Sequence, residues 1–156
     1  MLEPLGSVLH AVKKLNRIVL EKRPERALII GAGTIGLLLL QVLKHMRVMD
    51  EVFVSDKISF KLEIAKKLGA DHVLTPPELS RKYNNFFDIV FEAVGGFSIE
   101  RTINQAIEVL KEKGVVILLS AVEISPKIKL DIFHTKEGFL IGSFTLTYYD
   151  YVKAFN

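Results

Sequence analysis

The sequence contains no cysteine and no tryptophan among its 156 residues. Without cysteine, disulfide bonds and thiolate metal sites are excluded. No purely apolar run approaches the ~20 residues that a membrane-spanning helix needs. No charged leader followed by an apolar segment and a cleavage site opens the chain, so a secretory signal is not expected. These absences favour a cytoplasmic protein without a membrane partner.

The charged residues are dispersed and do not form a strongly basic pattern. The net charge is +3, and basic residues alternate with acids, as in Lys111-Glu112-Lys113. No basic helix with interleaved aromatic residues occurs, so nucleic-acid binding is not expected. The chain has no internal repeat and no low-complexity segment, and its length fits one domain over residues 1–156.

The most informative motif is Gly31-Ala32-Gly33-Thr34-Ile35-Gly36. It follows Arg26–Ile30, which predicts a buried parallel strand, and it precedes an apolar helix pattern over Leu37–Leu43. A second predicted strand, Glu51–Asp56, ends in a carboxylate at the expected distance. In this context the glycine pattern is the dinucleotide-binding fingerprint.

Each glycine of the motif has a physical role in that fingerprint. Gly31 permits a tight turn, Gly33 leaves space for a pyrophosphate, and Gly36 lets the helix lie close to the strand. The free N–H groups of a helix that begins near Thr34 would then face the phosphates.

Asp56 indicates which dinucleotide the chain binds. It lies twenty residues beyond Gly36, where a carboxylate accepts hydrogen bonds from the adenosine ribose. A 2′-phosphate would meet its negative charge, which favours NAD over NADP. The neighbouring Lys57 is the one opposing feature, because its positive charge partly offsets that repulsion.

The order of the predicted elements indicates the fold class. Beyond the elements already named, we predict helices or helical turns at Val8–Val19, Ile58–Leu68 (closed by Gly69), Glu78–Lys82 and Tyr148–Phe155. Another predicted helix runs from a Ser98 cap, has Leu110 on its apolar face and ends before Gly114. Further strands are predicted at Asp71–Leu74, Phe86–Phe91, Val115–Leu119 and Phe139–Ile141. This alternation predicts an α/β fold, a doubly wound parallel six-stranded sheet of the Rossmann type with strand order 3-2-1-4-5-6.

Several segments in this order resemble the coenzyme domain of the medium-chain, zinc-type alcohol, polyol and threonine dehydrogenases. They are Glu3-Pro4-Leu5 with His10-Ala11 and residues 29–37, 65–71, 88–95, 113–116 and 138–144, and together they cover nearly the whole chain. The resemblance implies an NAD-dependent oxidoreductase that transfers hydride between nicotinamide and an alcohol or carbonyl substrate. It also implies a homodimer formed near the sixth strand.

The resemblance assigns cofactor-binding roles to particular positions. The glycine loop with Thr34 and Ile35 would approach the pyrophosphate, and Asp56, assisted by Lys61, would bind the adenosine ribose. The other implied cofactor positions are Ala93, Val94, Leu119, Ser120, Ala121, Phe139 and Ile141. The alternative is an ordinary structural role, at strand ends or in the core, for five of these positions, which are Leu119, Ser120, Ala121, Phe139 and Ile141.

Zinc ligands and catalytic residues are not found in this sequence. In the family, a catalytic domain supplies Cys, His and Glu ligands, and Met1 falls where that domain would join the coenzyme domain. The four histidines are scattered, and none forms a spaced metal-binding pair on a helix. We therefore expect a domain separated from its zinc-containing half and inactive by itself.

Three alternative interpretations remain open at this stage. Tyr149 and Lys153 have the Y-x-x-x-K spacing of short-chain dehydrogenases, in which the lysine lowers the pKa of the tyrosine. A regulatory NAD-sensing module and a methyltransferase would also use a glycine loop followed by an acid. The full three-glycine pattern and the predicted sixth strand argue against the methyltransferase, and fold alone does not separate the others.

Overall fold

A computed structural model describes residues 2–15 and 23–145 of the chain. In chain order its elements are α1 (Leu2–Leu15), β1 (Arg26–Ile30), α2 (Thr34–Met46), β2 (Glu51–Ser55), α3 (Ser59–Lys67), β3 (His72–Leu74), α4 (Pro76–Lys82), β4 (Phe87–Glu92), α5 (Ile99–Val109), β5 (Leu110–Leu118), α6 (Leu130–Thr135) and β6 (Phe139–Gly142). A short 3-10 turn, Gly96–Ser98, precedes α5. In the described ranges, none of the helices has the length and apolar character required to span a membrane.

The six strands of the described residues form one sheet in the order β3-β2-β1-β4-β5-β6. Every pairing is parallel, which confirms the predicted doubly wound α/β fold. Ile29 of β1 is in register with Val54 of β2 on one side and Phe91 of β4 on the other. The strand order therefore reverses beside β1, and ligands of such sheets bind at the carboxyl ends of the strands at this point.

Helices bury apolar side chains on both faces of the sheet. On one face, α1 and α2 contribute Val8 and Leu40 to a cluster that includes Ile29. On the other face, α5 contributes Ile103 to a cluster that includes Leu28. Neighbouring residues of β1 thus belong to opposite cores, as expected when successive side chains of a strand alternate. Helices on both faces explain why β1 is apolar throughout its buried residues.

The first helix begins six residues earlier than predicted, at Leu2 instead of Val8. Glu3 lies in its first turn, where a negative charge interacts favourably with the helix dipole. Pro4 is tolerated there, because the first N–H groups of a helix have no acceptor within the helix and a proline therefore removes no hydrogen bond. Residues 16–19 of the predicted helix lie outside the described ranges, and so does the predicted helix Tyr148–Phe155.

Predicted boundaries around α5 were partly wrong. Ser98 does not cap α5, because the 3-10 turn runs directly into the helix and the Ser98 side chain makes no capping bond. Leu110, predicted on the apolar face of α5, is the first residue of β5. It is nevertheless fully buried, which explains why it completed the apolar pattern of the preceding helix.

Two further helices differ from the sequence prediction. The short helix α6 was not among the elements predicted from the sequence. α4 begins at Pro76, earlier than the predicted turn, because prolines fit the first positions of a helix. Glu78 accepts hydrogen bonds from the N–H and hydroxyl groups of Thr75 at 2.9 and 2.8 Å. The bond from the Thr75 N–H is the main reason why the pKa of Glu78 is lowered.

Candidate coenzyme site

A cleft opens at the carboxyl ends of β1, β2 and β4, where the strand order reverses. Six of the predicted site residues line it, namely Gly31, Gly33, Asp56, Lys61, Ala93 and Val94. Its wall also includes Ser55, Lys57, Pro76, Arg101, Thr102 and Gln105. The sheet topology thus collects residues from the loops after β1, β2 and β4 and from α3, α4 and α5 around one cavity.

The glycine loop between β1 and α2 adopts a conformation that depends on the absence of side chains. Gly31 has a φ of +106°, and a Cβ there would lie 2.9 Å from the carbonyl oxygen of Ala93. A Cβ on Gly36 would lie only 1.9 Å from the carbonyl oxygen of Gly31. Gly33 differs from both, because a Cβ on it would meet nothing within 4 Å. The loop therefore has no room for a side chain at Gly31 or Gly36, whereas the space beside Gly33 is open.

The helix α2 begins at this loop without a capping side chain. Gly33 is its N-cap residue, and the first turn contains no acidic residue. Among the described residues, no side chain accepts a hydrogen bond from the N–H groups of Thr34, Ile35 and Gly36. The Ile35 side chain itself packs against the apolar core. Unsatisfied N–H groups and the positive end of the helix dipole together favour an anionic group at this place.

The Asp56 carboxylate connects the glycine loop to the beginning of α3. One carboxylate oxygen accepts a hydrogen bond from the N–H of Ala32 at 2.8 Å, and the other accepts one from Ile58 at 2.9 Å. Each oxygen retains a second lone pair that a ribose hydroxyl could use. Asp56 thus fixes the loop and still presents acceptors at the cleft.

A buried hydroxyl without a partner lies at the end of β2. The Ser55 residue is 1% exposed, and its Oγ makes no hydrogen bond with any residue that the structure describes. Ser55 also lines the cleft. A buried polar atom without a partner is costly, and a polar ligand in the cleft would provide that partner. This observation fits a nucleotide better than an apolar ligand.

Glu92 is a candidate functional residue that the sequence analysis missed. Its side chain is fully buried at the end of β4. Oε1 accepts hydrogen bonds from Val94 N at 3.0 Å, Gly95 N at 3.2 Å and the Thr102 hydroxyl at 2.8 Å, while Oε2 accepts one from the Ser120 hydroxyl. One carboxylate therefore holds together the loop after β4, the helix α5 and the end of β5. The available signal was an acidic residue at the end of an apolar strand. A carboxylate buried there requires several hydrogen-bond donors around it, which predicts a polar cluster at this position.

The predicted residues after β5 adjoin the loop that Glu92 organises. The N–H of Leu119 donates to the Glu92 carbonyl oxygen at 2.9 Å, and the carbonyl oxygen of Ala121 accepts a bond from Gly96 at 3.1 Å. A Cβ on Gly95 would lie 2.7 Å from the Cβ of Ser120. The loops after β4 and β5 therefore pack against each other at the carboxyl edge of the sheet.

The structure does not bring Phe139 to the cleft. Phe139 is the first residue of β6 and is in register with Val115 near the middle of β5. The carboxyl end of β6 is at Gly142, which is in register with Leu118. Ile141 lies next to that end, but its side chain packs against the apolar core. Phe139 therefore lies at the amino end of the strand, away from the carboxyl edge where ligands of such sheets bind.

Two other sequence predictions concern metal and catalytic residues. In the described ranges, no group of three or more His, Asp or Glu side chains is arranged to hold a metal ion. Tyr149 and Lys153, the pair with short-chain dehydrogenase spacing, lie outside the described residues.

Comparison with known proteins identifies the family. The sequence profile described as zinc-binding dehydrogenase matches residues 34–156, which form most of the chain. The chain belongs to the zinc-binding dehydrogenase family. The resemblance to the coenzyme domain of zinc-type dehydrogenases is thereby confirmed.

Relatives of this zinc-binding dehydrogenase chain include two sugar-alcohol oxidoreductases. It is 30% identical to D-xylulose reductase of Saccharomyces cerevisiae over 97% of the chain and 43% of that relative. It is 28% identical to sorbitol dehydrogenase of Bombyx mori over 92% of the chain and 42% of that relative. The chain therefore spans less than half the length of these relatives.

Solved structures of oxidoreductases share the fold. L-idonate 5-dehydrogenase of Escherichia coli is 25% identical and superposes with a TM-score of 0.81 over 98% of this chain and 43% of its own. Acetophenone reductase of Geotrichum candidum, solved in complex with NAD, is 27% identical with a TM-score of 0.82, over 98% of this chain and 42% of its own.

Proposed function

We propose that this chain is the NAD-binding domain of an alcohol- or polyol-type dehydrogenase. The observation that carries the proposal is the cleft at the switch point, bordered by Gly33 with open space before it and by the Asp56 carboxylate. The family membership and the polyol oxidoreductases among the relatives support an oxidoreductase activity.

The residues of the cleft would contact the parts of NAD in a consistent order. The N–H groups that begin α2 would receive the pyrophosphate, because Gly33 leaves them accessible. Asp56 would accept the adenosine ribose hydroxyls. Glu92 would position Val94 and Ser120 on the nicotinamide side through its four hydrogen bonds. When bound, nicotinamide supplies the hydride donor or acceptor of the reaction.

Substrate chemistry would depend on residues outside this chain. As the family resemblance implies, zinc and the proton-relay groups would belong to a catalytic domain, where the metal polarises an alcohol or carbonyl oxygen. The residues described here would hold and orient the coenzyme and would not perform the chemistry. We expect this chain alone to bind NAD weakly and to show no dehydrogenase turnover. The cytoplasmic location also stays a prediction from the sequence.

Replacing Gly33 by valine is expected to weaken NADH binding without unfolding the protein. The added side chain would occupy the space before the start of α2, and no described atom beyond Gly33 and its two chain neighbours lies within 4 Å of its Cβ position. We expect the affinity for NADH to fall by at least about tenfold, because the phosphates could no longer approach the backbone. Isothermal titration calorimetry measures the affinity, and circular dichroism checks the fold.

A control replaces Phe60 by valine, because Phe60 is 67% exposed on α3 and does not line the cleft. This variant should bind NADH like the unmodified chain. Equal NADH affinity for the Gly33→Val variant would contradict the proposed function. If even the unmodified, folded chain fails to bind NADH, a titration with S-adenosylmethionine would test the methyltransferase alternative.

We also propose that the chain forms a homodimer through β6. This strand lies at the edge of the sheet, and Phe139 and Leu140 are 44% and 38% exposed. An apolar edge strand can pair with a second copy of itself. Sedimentation velocity should show a concentration-dependent dimer, and Leu140→Lys should shift it to monomer. Phe60→Lys, which adds the same charge on α3, should leave the dimer intact. A strictly monomeric unmodified chain at high concentration would disprove this assembly.

A further inference from the structure

The connection between β5 and α6, residues 119–129, contacts the helix α5 along much of its length. All of these residues are described, and they form neither helix nor strand. Their backbone N–H and C=O groups therefore need partners outside the regular elements. We call this connection the β5–α6 segment. It begins at Leu119, Ser120 and Ala121, which adjoin the loop that Glu92 organises, so the way its far end is held bears on the coenzyme site.

One face of α5 provides polar partners for the far end of this segment. Glu100, Asn104 and Glu108 are spaced four residues apart along the helix, so their side chains share a face. The N–H of Lys127 donates to Oε2 of Glu100 at 3.1 Å, and the Lys129 ammonium donates to Oε1 of Glu108. Polar residues on successive turns of α5 thus follow the segment along the helix.

Asn104 makes the central contacts on this face. Its Nδ2 donates to the carbonyl oxygen of Lys127 at 2.8 Å, and its Oδ1 accepts a hydrogen bond from the N–H of Lys129 at 2.9 Å. Nδ2 also donates to the carbonyl oxygen of Glu100 at 2.8 Å, which fixes the orientation of the amide. A side-chain amide offers both a donor and an acceptor, as a peptide group does. Asn104 therefore bonds the segment in the way that a neighbouring strand would.

Apolar contacts hold the middle of the segment. Ile124 and Ile128 pack against the core cluster to which Ile103 of α5 belongs. Together with the bond between Gly96 N and the carbonyl oxygen of Ala121, these contacts attach the segment at both ends and in the middle. A segment that is ordered before a ligand arrives does not have to lose that conformational freedom on binding.

We propose that Asn104 is a positioning residue of the coenzyme site. By holding Lys127 and Lys129 against α5, it keeps the β5–α6 segment ordered and places Ser120 and Ala121 beside the nicotinamide end of the dinucleotide. This inference rests on the proposed function, because it assumes that the nicotinamide lies beside the loop after β5. Asn104 itself is not among the described residues that line the cleft, so its effect on the coenzyme passes through the segment.

Two ligands that differ only by the nicotinamide ring test this role. NADH and adenosine diphosphate ribose are titrated by calorimetry into the unmodified chain and into Asn104→Ala. In the variant, the affinity for NADH should fall about fivefold, while that for adenosine diphosphate ribose changes by less than about twofold. Alanine is the better helix former, so α5 should remain intact, and circular dichroism checks the fold. A loss of stability alone would not distinguish between the two ligands.

Hydrogen exchange and a second variant examine the contact itself. In Asn104→Ala, the Lys129 amide loses its acceptor, and the amides of the β5–α6 segment should exchange faster than in the unmodified chain. Lys129→Pro removes the N–H donor from the other side of the same bond. The φ of Lys129 is −73°, which proline can adopt. This variant should show the same selective loss of NADH affinity, whether or not Asn104→Ala folds.

The matched control is Asn84→Ala, which removes the same side chain from an exposed position before β4 that is not part of the cleft wall. It should leave the affinities for both ligands unchanged. Exchange of the β5–α6 segment should also stay as it is in the unmodified chain.

Three results would overturn the positioning role while leaving the proposed function in place. The first is unchanged NADH affinity in both Asn104→Ala and Lys129→Pro. The second is an equal loss of affinity for NADH and adenosine diphosphate ribose, which would show a general effect on the domain. The third is an unmodified chain that binds both ligands equally tightly, because the nicotinamide would then gain nothing from Ser120 and Ala121. A folded chain that binds neither ligand would instead refute the proposed function, and the positioning role with it.

Discussion

Replacing Gly36 by alanine is expected to lower the free energy of unfolding by about 3 kcal/mol or more. The added Cβ would lie 1.9 Å from the carbonyl oxygen of Gly31 and 3.3 Å from a methyl group of Ile29. No rotamer change can relieve the first contact, because both atoms belong to positions fixed by the backbone. The helix α2 would have to move away from β1, and this movement would also displace the N–H groups before the cleft.

Thermal and urea unfolding of Gly36→Ala and Gly33→Ala provide the measurement and its matched control. Both variants replace one loop glycine with the same methyl group, but a Cβ on Gly33 has no neighbour within 4 Å. The Gly33→Ala variant should therefore lose only about 1 kcal/mol or less, as expected for a glycine at an N-cap position. Equal stability of the two variants would show that Gly36 is not required for close packing of the helix on the strand.

The strand order could be predicted because each central strand is marked by its own residues. Arg26–Ile30 and Glu51–Ser55 are continuous and largely apolar, as strands covered on both faces must be. The three-glycine turn then defined the crossover from β1, and right-handed connections left one favoured order. The ends of α5 near Ser98 and Leu110 were harder to predict, because a serine cap and an apolar face are local signals that tertiary packing can override.

The candidate site was only partly predictable from the sequence. Gly33 and Asp56 belong to a local motif whose spacing is set by one β-α-β unit. Arg101 reaches the same cleft from α5, and its position depends on the length of the connection after β4. The location of Phe139 depends on strand register, which one predicted strand does not specify. The motif residues could therefore be identified from the sequence, whereas residues that other parts of the fold bring to the cleft could be identified only from the structure.

The Glu92→Ala variant is expected to lose about 3 kcal/mol or more of stability, which corresponds to a decrease of about 10 °C in the unfolding midpoint. The substitution would remove the acceptor of four donors, which are Val94 N, Gly95 N and the hydroxyls of Thr102 and Ser120. Because Glu92 is fully buried, water would not readily replace the lost bonds. NADH binding should weaken as well, since Val94 lines the cleft.

Two milder variants separate the effect of Glu92 on the site from its effect on stability. Glu92→Gln keeps an oxygen for the two N–H groups and Thr102, and its amide can donate to the Ser120 hydroxyl, so most of the stability should remain. Ser120→Ala removes one of the four donors and should cost about 1 kcal/mol. Calorimetry with NADH and with adenosine 5′-monophosphate then locates the effect. If Glu92 positions the nicotinamide side, Glu92→Gln should weaken NADH more than the monophosphate. If all three variants bind NADH and the monophosphate as tightly as the unmodified chain does, this buried carboxylate serves the fold alone.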